Sequence, residues 1–268
     1  AGAILLFDSL EKTAEAIPLL LESEPTLCEL IDRRAISLII EKNSRISPFL
    51  PSGTEYALLV ELQDDSTTAL GERLNRLAQR VRHGASLAFG SFQAQAPGEF
   101  AVFAEILKRS ELALLALGSN MGLVTLFEDL HVPTSALPEF LRILQKLLRN
   151  HNLVYSIGGH LGQGQVRVVP IIDLNEPVNH SDIATLAEVI CSEAVRFGGG
   201  IGSARDWGMM RTRFLSLTSP KLFPVFAKLK RVFDPKGILN PQTAISLPEN
   251  ERFFVNSGSR YRNEAWQR

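Results

Sequence analysis

The stretch Gly158–Pro170, GGHLGQGQVRVVP, sets four glycines and a histidine directly before an alternating apolar run. A glycine-rich phosphate loop must open a helix, because the helix N-terminal amides hold the anion. Here the glycines lead into VRVVPII, Val166–Ile172, which has strand character. The stretch therefore reads as a turn between two antiparallel strands, Leu153–Ile157 and Val166–Ile172. Glycine suits such a turn by accepting positive φ or by letting backbone or ligand come close. His160, Gln163, Gln165 and Arg167 then collect at one end of a sheet. They are either the surface of a plain hairpin or the lining of a ligand site.

Working outward, Ile4–Phe7 reads as a strand, and Asp8 or Ser9 caps a helix running to about Glu22. After Pro25, Leu27, Leu30, Ile31, Ile36, Ile39 and Ile40 recur at three- and four-residue steps and predict a second helix. Tyr56–Leu62 predicts a strand, Ser66–His83 a helix, Ser86–Gln93 a strand and Phe100–Leu117 a helix. Val124–Leu130 returns as a strand. Thr134 or Ser135 then caps a helix whose inward face is Leu137, Phe140, Leu141, Leu144, Leu147 and Leu148. Beyond the hairpin, a helix from about Ser181 packs Ile183, Leu186, Ala187, Ile190, Ala194 and Phe197, and glycines 198–200 stop it. Two successive strand-helix-strand-strand patterns predict an α+β fold. Its antiparallel sheets carry helices on one face, in two ferredoxin-like halves.

The 268 residues suffice for one large domain or two small subdomains. A net charge of -1 supplies no field that would draw the chain to nucleic acid or an anionic membrane. A neutral or small-molecule partner is the expectation. Cys28 and Cys191 are too few and too separated for a disulfide framework or a zinc knuckle. Both fall at apolar positions of a helical pattern and read as buried, reduced thiols, which suits a cytoplasmic protein. No apolar run approaches the roughly 18 residues of a membrane span. The chain enters a strand at residue 4 with no targeting peptide, and so reads as cut from something larger.

Two further segments could carry chemistry. Phe197–Phe214, FGGGIGSARDWGMMRTRF, is a long irregular loop offering backbone amides, the cation of Arg205 and the aromatic face of Trp207. It also reads as a plain helix–helix connection with an Arg205–Asp206 surface pair. In KRVFDPKGILNP, Lys230–Pro241, proline presets the turn and Gly237 takes its strained position. Ile238 and Leu239 are then expected to point inward.

Together these segments resemble, in order and spacing, the C-terminal domain of FAD-linked oxidases of the glycolate oxidase and D-lactate dehydrogenase type, related to vanillyl-alcohol-oxidase-like flavoproteins. GHLGQGQVRVVPIIDL resembles the family's GHxGDGNxH hairpin, and FGGGIGSARDWGMMRTRFL its GGxxxGEHGxGxxRxxxL loop. LFEDLHVPTSALPEFLRILQKLL resembles its ED-x-x-VP entry to a helix, and LKRVFDPKGILNPQ its closing K-x-x-FDP-x-G-x-LNPGK motif. The resemblance implies that residues 1–246 form a cap domain supplying the substrate pocket over FAD. It also implies that the N-terminal FAD-binding domain lies outside this chain. Residues 247–268 are expected to extend as a tail toward a neighbour, because SGSRYRNEAWQR is similar to a lead into an iron-sulfur domain.

The departures from the family pattern define the expected site. In members that oxidise 2-hydroxy acids, the two hairpin histidines and the glutamate of GEHG can hold a divalent metal. Here His160 remains, the second histidine position is Arg167, and Gln163 and Gln165 replace aspartate and asparagine. In the second loop Ala204 replaces the glutamate and Arg205 the histidine. A guanidinium has no lone pair to donate, so the metal is expected to be lost. The resemblance assigns His160 and Arg205 to catalysis and Lys108, Gln163, Gln165, Arg167 and Arg211 to a carboxylate substrate. Lys108 stands where some relatives carry a substrate-binding arginine. Gly237 and Asn240 are assigned to the cofactor's edge. His131 is a second candidate base, though a histidine at a strand end is more often structural. The implied function is FAD-dependent oxidation of a 2-hydroxy acid or similar carboxylate. The alternative is a non-catalytic subunit of a glycolate-oxidase-like complex, serving assembly or electron transfer. Expected partners are the FAD-binding domain, an iron-sulfur domain or subunit, and a second copy joined through an exposed apolar face. Any membrane association would come through such a complex.

Overall fold

The computed structural model describes residues 1–117, 122–123, 129–151, 153–172, 180–202, 212–241 and 245. They form two compact units, Ala1–Val178 and Asn179–Arg268. The first unit contains β1 (Gly2–Phe7), α1 (Leu10–Leu21), β2 (Leu27–Asp32), α2 (Arg33–Lys42), β3 (Tyr56–Glu61), α3 (Thr67–Gln79) and β4 (Gly90–Ala94). It continues through α4 (Pro97–Leu117), β5 (Gly122–Leu123), β6 (Leu130–His131), α5 (Leu137–Asn150), β7 (Tyr155–His160) and β8 (Gln165–Ile172).

The strands lie in the order β4-β1-β3-β2-β7-β8-β6, with β5 also on β8, and every pairing among them is antiparallel. The first four have the ferredoxin-like arrangement, and β6-α5-β7-β8 begins a second round of it. The two rounds meet where β2 pairs with β7, Glu29 opposite His160 and Leu30 opposite Gly159.

Local sequence explains most of these elements. The Ser9 hydroxyl accepts from the Lys12 amide and starts α1, and Ser66 does the same for α3 through Ala69. All six residues of β1 are buried, because GAILLF is apolar without alternation and both faces of the sheet are covered. On one face Ala3 joins Leu62 and Leu74 of α3, and α1 packs against α5. On the other, Ile4, Leu6, Ala57 and Leu59 meet Ile36 and Ile39 of α2 and Phe103 and Ile106 of α4. Thus the α+β, antiparallel plan is present, and α2 and α4 are additions that cover its second face.

Residues 27–31 depart from their helical spacing. They form β2, a central strand between β3 and β7, and the helix begins only at Arg33. Pairing on both sides outweighs the local period. Asp32 marks the switch: its carboxylate accepts from the Ala35 amide at 3.0 Å and caps α2. It also accepts from the Ser156 hydroxyl at 2.8 Å and the Ile157 amide at 3.0 Å, tying β2 to β7. Burial raises this carboxyl above the usual range against the pull of those donors. Cys28 therefore sits on a strand, not a helix. Burial pushes its thiol up to about 12, so it stays protonated and unreactive at neutral pH. Cys191 is buried as well.

α5 begins after a 3₁₀ turn, Thr134–Ala136, without a side-chain cap from Thr134 or Ser135. Its buried face includes Leu137, Phe140, Leu141, Leu144 and Leu148. Of the strand expected at 124–130, only Leu130 appears, in β6; residues 124–128 lie outside the described residues.

The second unit contains α6 (His180–Arg196), β9 (Gly200–Ile201), α7 (Leu215–Thr218) and α8 (Phe223–Phe233). α6 buries Ile183, Leu186, Ala187, Ile190, Cys191 and Ala194, while Phe197 lies half-buried beneath the Arg196 guanidinium. In contrast, α8 buries none of its residues, and Leu222, Val225, Leu229, Val232 and Phe233 are exposed. The Asp234 carboxylate after it accepts from the amides of Ile238 at 2.8 Å and Leu239 at 2.9 Å and pairs with Lys230 at 2.8 Å. Lys230 holds that carboxyl below its ordinary value. Ile238 and Leu239, expected to point inward, are 69% and 62% exposed. With their amides drawn to Asp234 the turn is fixed, and it leaves both side chains outside. The tail expected at 247–268 lies outside the described residues. Among the described residues no helix is long and apolar enough to cross a membrane.

Candidate active site

One row of residues crosses the sheet. Phe92, Ile4 and Leu59 stand opposite one another on β4, β1 and β3, and Leu59 faces Glu29 on β2, which faces His160 on β7. The row is apolar as far as β3 and turns polar at β2. On β8, Arg167 pairs with Gly158, two residues before His160, and Gln165 pairs with His131 on β6. Cross-strand partners on one face come within about 5 Å at Cβ, so their side chains interact.

The Glu29–His160 pair is bonded: Nδ1 of the imidazole lies 3.1 Å from Oε2 of the carboxylate. Both side chains are only 21% exposed. His160 is therefore not a free surface histidine of a hairpin tip. It closes β7, and a 3₁₀ turn, Leu161–Gln163, leads on to Gly164 and β8.

The glycines of the hairpin serve close packing. A Cβ on Gly158 would stand 2.8 Å from the Leu30 carbonyl oxygen, and one on Gly159 2.6 Å from that of Gln165. Gly164, at φ +76°, would put a Cβ 2.0 Å from the Val132 carbonyl oxygen, and the Val132 amide donates to the Gly164 carbonyl at 3.0 Å. These positions need glycine because backbone lies against them, with no phosphate required to explain them.

The other expected residues divide into three groups. Arg167 is half-buried directly opposite Gly158, and Gln165 is half-buried at the start of β8. Both therefore belong to the hairpin end with His160. Gln163 is exposed in the turn, His131 is exposed on β6, and Lys108 is exposed on α4 with no hydrogen bond to the row. Gly237, at φ +61°, and Asn240, at φ +44°, shape the turn after α8 in the second unit. Ala204, Arg205 and Arg211 lie outside the described residues.

The sequence reading missed Glu29. A signal was present: on a strand Glu29 shares its face with Leu27 and Ile31, which pack into the core, and a carboxylate between them needs a partner. Reading the segment as a helix hid it, because the alternation of a strand was not applied there.

Residues 1–244 match the family model described as FAD linked oxidases, C-terminal domain. The chain belongs to this family. Across 245 residues this FAD-linked oxidase C-terminal domain is 26% identical to a D-2-hydroxyglutarate dehydrogenase of Escherichia coli (strain K12), covering 88% of this chain and 24% of that protein. It is 22% identical over 241 residues to glycolate oxidase subunit GlcD of Bacillus subtilis (strain 168), covering 89% of this chain and 49% of GlcD. The chain thus spans 24% of the length of the first of these relatives and 49% of the second. Among solved structures it is similar to 4-ethylphenol oxidase from Gulosibacter chungangensis in an isoeugenol complex. The TM-score is 0.54 at 13% identity, covering 94% of this chain and 54% of that one, a likeness of fold alone.

Proposed function

We propose that this chain is the substrate-binding cap of an FAD-dependent oxidoreductase that oxidises a 2-hydroxy acid or similar small carboxylate. The observation that carries the reading is an imidazole held by a carboxylate on the hairpin that also carries Gln165 and Arg167, in a domain of this family. The names of the two relatives, a D-2-hydroxyglutarate dehydrogenase and a glycolate oxidase subunit, support the substrate class.

The exposed turn around Gly237 and Asn240, both at positive φ, offers backbone for a cofactor edge. FAD would be held mainly by a domain outside this chain. When bound, FAD supplies a hydride acceptor for the carbon that carries the substrate hydroxyl. His160 would take the hydroxyl proton at Nε2 as general base. Arg167 would hold the substrate carboxylate through bidentate hydrogen bonds, and Arg205, Arg211 and Lys108 remain proposed substrate-binding residues on their own chemistry. Gln163 and Gln165 would orient its remaining oxygens. The family's divalent ion does not fit this donor set. Arg167 stands where the second histidine would be, and a guanidinium is a permanent cation with no lone pair to give a metal.

The test is flavin bleaching in the full-length, FAD-loaded protein, mixed without oxygen with a panel of D-2-hydroxy acids. The reading expects at least one acid to bleach the flavin, and His160→Gln to slow that step by about 10²-fold or more. No bleaching with bound FAD would overturn it in favour of a non-catalytic subunit, a reading that Arg167 in the second imidazole position supports.

A further inference from the structure

We infer that Glu29 is the positioning residue that sets the tautomer and orientation of His160. This inference rests on the reading of His160 as base given above.

Glu29 is placed by the least adjustable part of the fold. β2 is paired on both sides, and Leu27–Asp32 match Glu61–Tyr56 of β3 residue by residue. A carboxylate here is costly unless it is bonded, because its own side chain is only 21% exposed. Its bonded partner is His160, 131 residues away in sequence and directly opposite in register.

The chemistry of the pair fixes the hydrogen on Nδ1, whether the ring is neutral or an imidazolium. An ionised carboxylate only accepts hydrogen bonds, so at 3.1 Å Nδ1 of His160 must carry the hydrogen. Nε2 of the neutral ring then keeps its lone pair, and among the described residues it has no protein partner. That is the form a general base needs. The carboxylate also stabilises the imidazolium formed when Nε2 takes a proton, and it holds the ring against rotation. Gln165 and Arg167, the other polar groups on this part of β8, stand across β7 from Glu29 and leave its bond to Nδ1 intact.

Glu29→Gln tests the assignment with little change in shape. The amide can donate to Nδ1 as well as accept from it, so the ring is released into the tautomer that blocks Nε2. The readout is ¹⁵N NMR of the histidine rings in the ¹⁵N-histidine-labelled full-length protein, with His160→Gln identifying the signal. The wild type is expected to show the Nδ1–H form, and a dominant Nε2–H form would overturn the inference without any variant having to fold. In Glu29→Gln the Nε2–H form is expected to appear, with kcat for flavin reduction falling about 10²-fold and KM changing less than about twofold. An unchanged tautomer and unchanged kcat in this variant, with His160→Gln still impaired, would overturn the role of Glu29 alone. Full activity in His160→Gln would instead overturn the base assignment on which it rests.

Discussion

Strands β1 and β3 fill both faces of the sheet with Ile4, Leu5, Leu6, Leu58 and Leu59, none more than 2% exposed. The β7–β8 hairpin does the reverse, bringing Gly158, Gly159 and Gly164 to places where a methyl group would strike a neighbouring carbonyl. β1 and β3 are held by side chains alone, whereas the hairpin, which also buries Ile157, Leu161, Val166 and Val168, adds close approaches that only glycine allows. The difference teaches where chemistry can be placed. Where glycines let backbones close up without side-chain bulk, the few polar groups that remain, Glu29, His160, Gln165 and Arg167, need not compete with a core.

The largest effect expected from breaking this contrast is at Gly164. Gly164→Ala adds a methyl 2.0 Å from the Val132 oxygen at a φ of +76° and should cost more than about 4 kcal/mol in a urea titration. Gly53→Ala separates crowding from backbone strain. It too has positive φ, at +92°, but nothing lies within 4 Å, so about 1 kcal/mol is expected. Equal losses at the two sites would mean that crowding is not what the hairpin glycines avoid. Removing bulk from the other region, Leu58→Ala should cost about 3 kcal/mol.

A smaller effect is expected at Asp234. Its carboxyl is lowered from 3.8 chiefly by Lys230, so the charged form is favoured in the fold. The stability it contributes is complete above the unfolded value near 3.8 and is lost as pH falls through the lower folded value. Asp234→Asn should remove that acid-side slope, seen as a flatter melting temperature below about pH 4. The smallest effect is expected at Leu229→Ala on α8, within about 0.5 kcal/mol, because that side chain is 51% exposed. A loss approaching that of Leu58→Ala would show that the α8 face is covered in the intact protein.

Much of the fold could be read locally. Ser9 and Ser66 announce their helices, GAILLF announces a buried strand, and the glycines before VRVVPII announce a hairpin and not a phosphate loop. What could not be read locally was decided by pairing across the sheet. Leu27–Ile31 has apolar residues that satisfy both a helix and a strand, and only β3 and β7 on its two sides decide between them. The same pairing hid half of the site. His160 stood out beside its glycines, but Glu29 acquires meaning only from a neighbour 131 residues away. Ile238 and Leu239 mark the opposite limit: their apolar character predicted burial, and the Asp234 carboxylate fixed a turn that keeps them outside.

Leu222, Val225, Leu229, Val232, Phe233, Ile238 and Leu239 together give the second unit a greasy flank. Excluded salts strengthen the attraction of such a flank for other oily surfaces. Retention on a phenyl chromatography resin should accordingly climb with ammonium sulfate, and replacing Val232 and Phe233 by lysine should make the chain elute earlier.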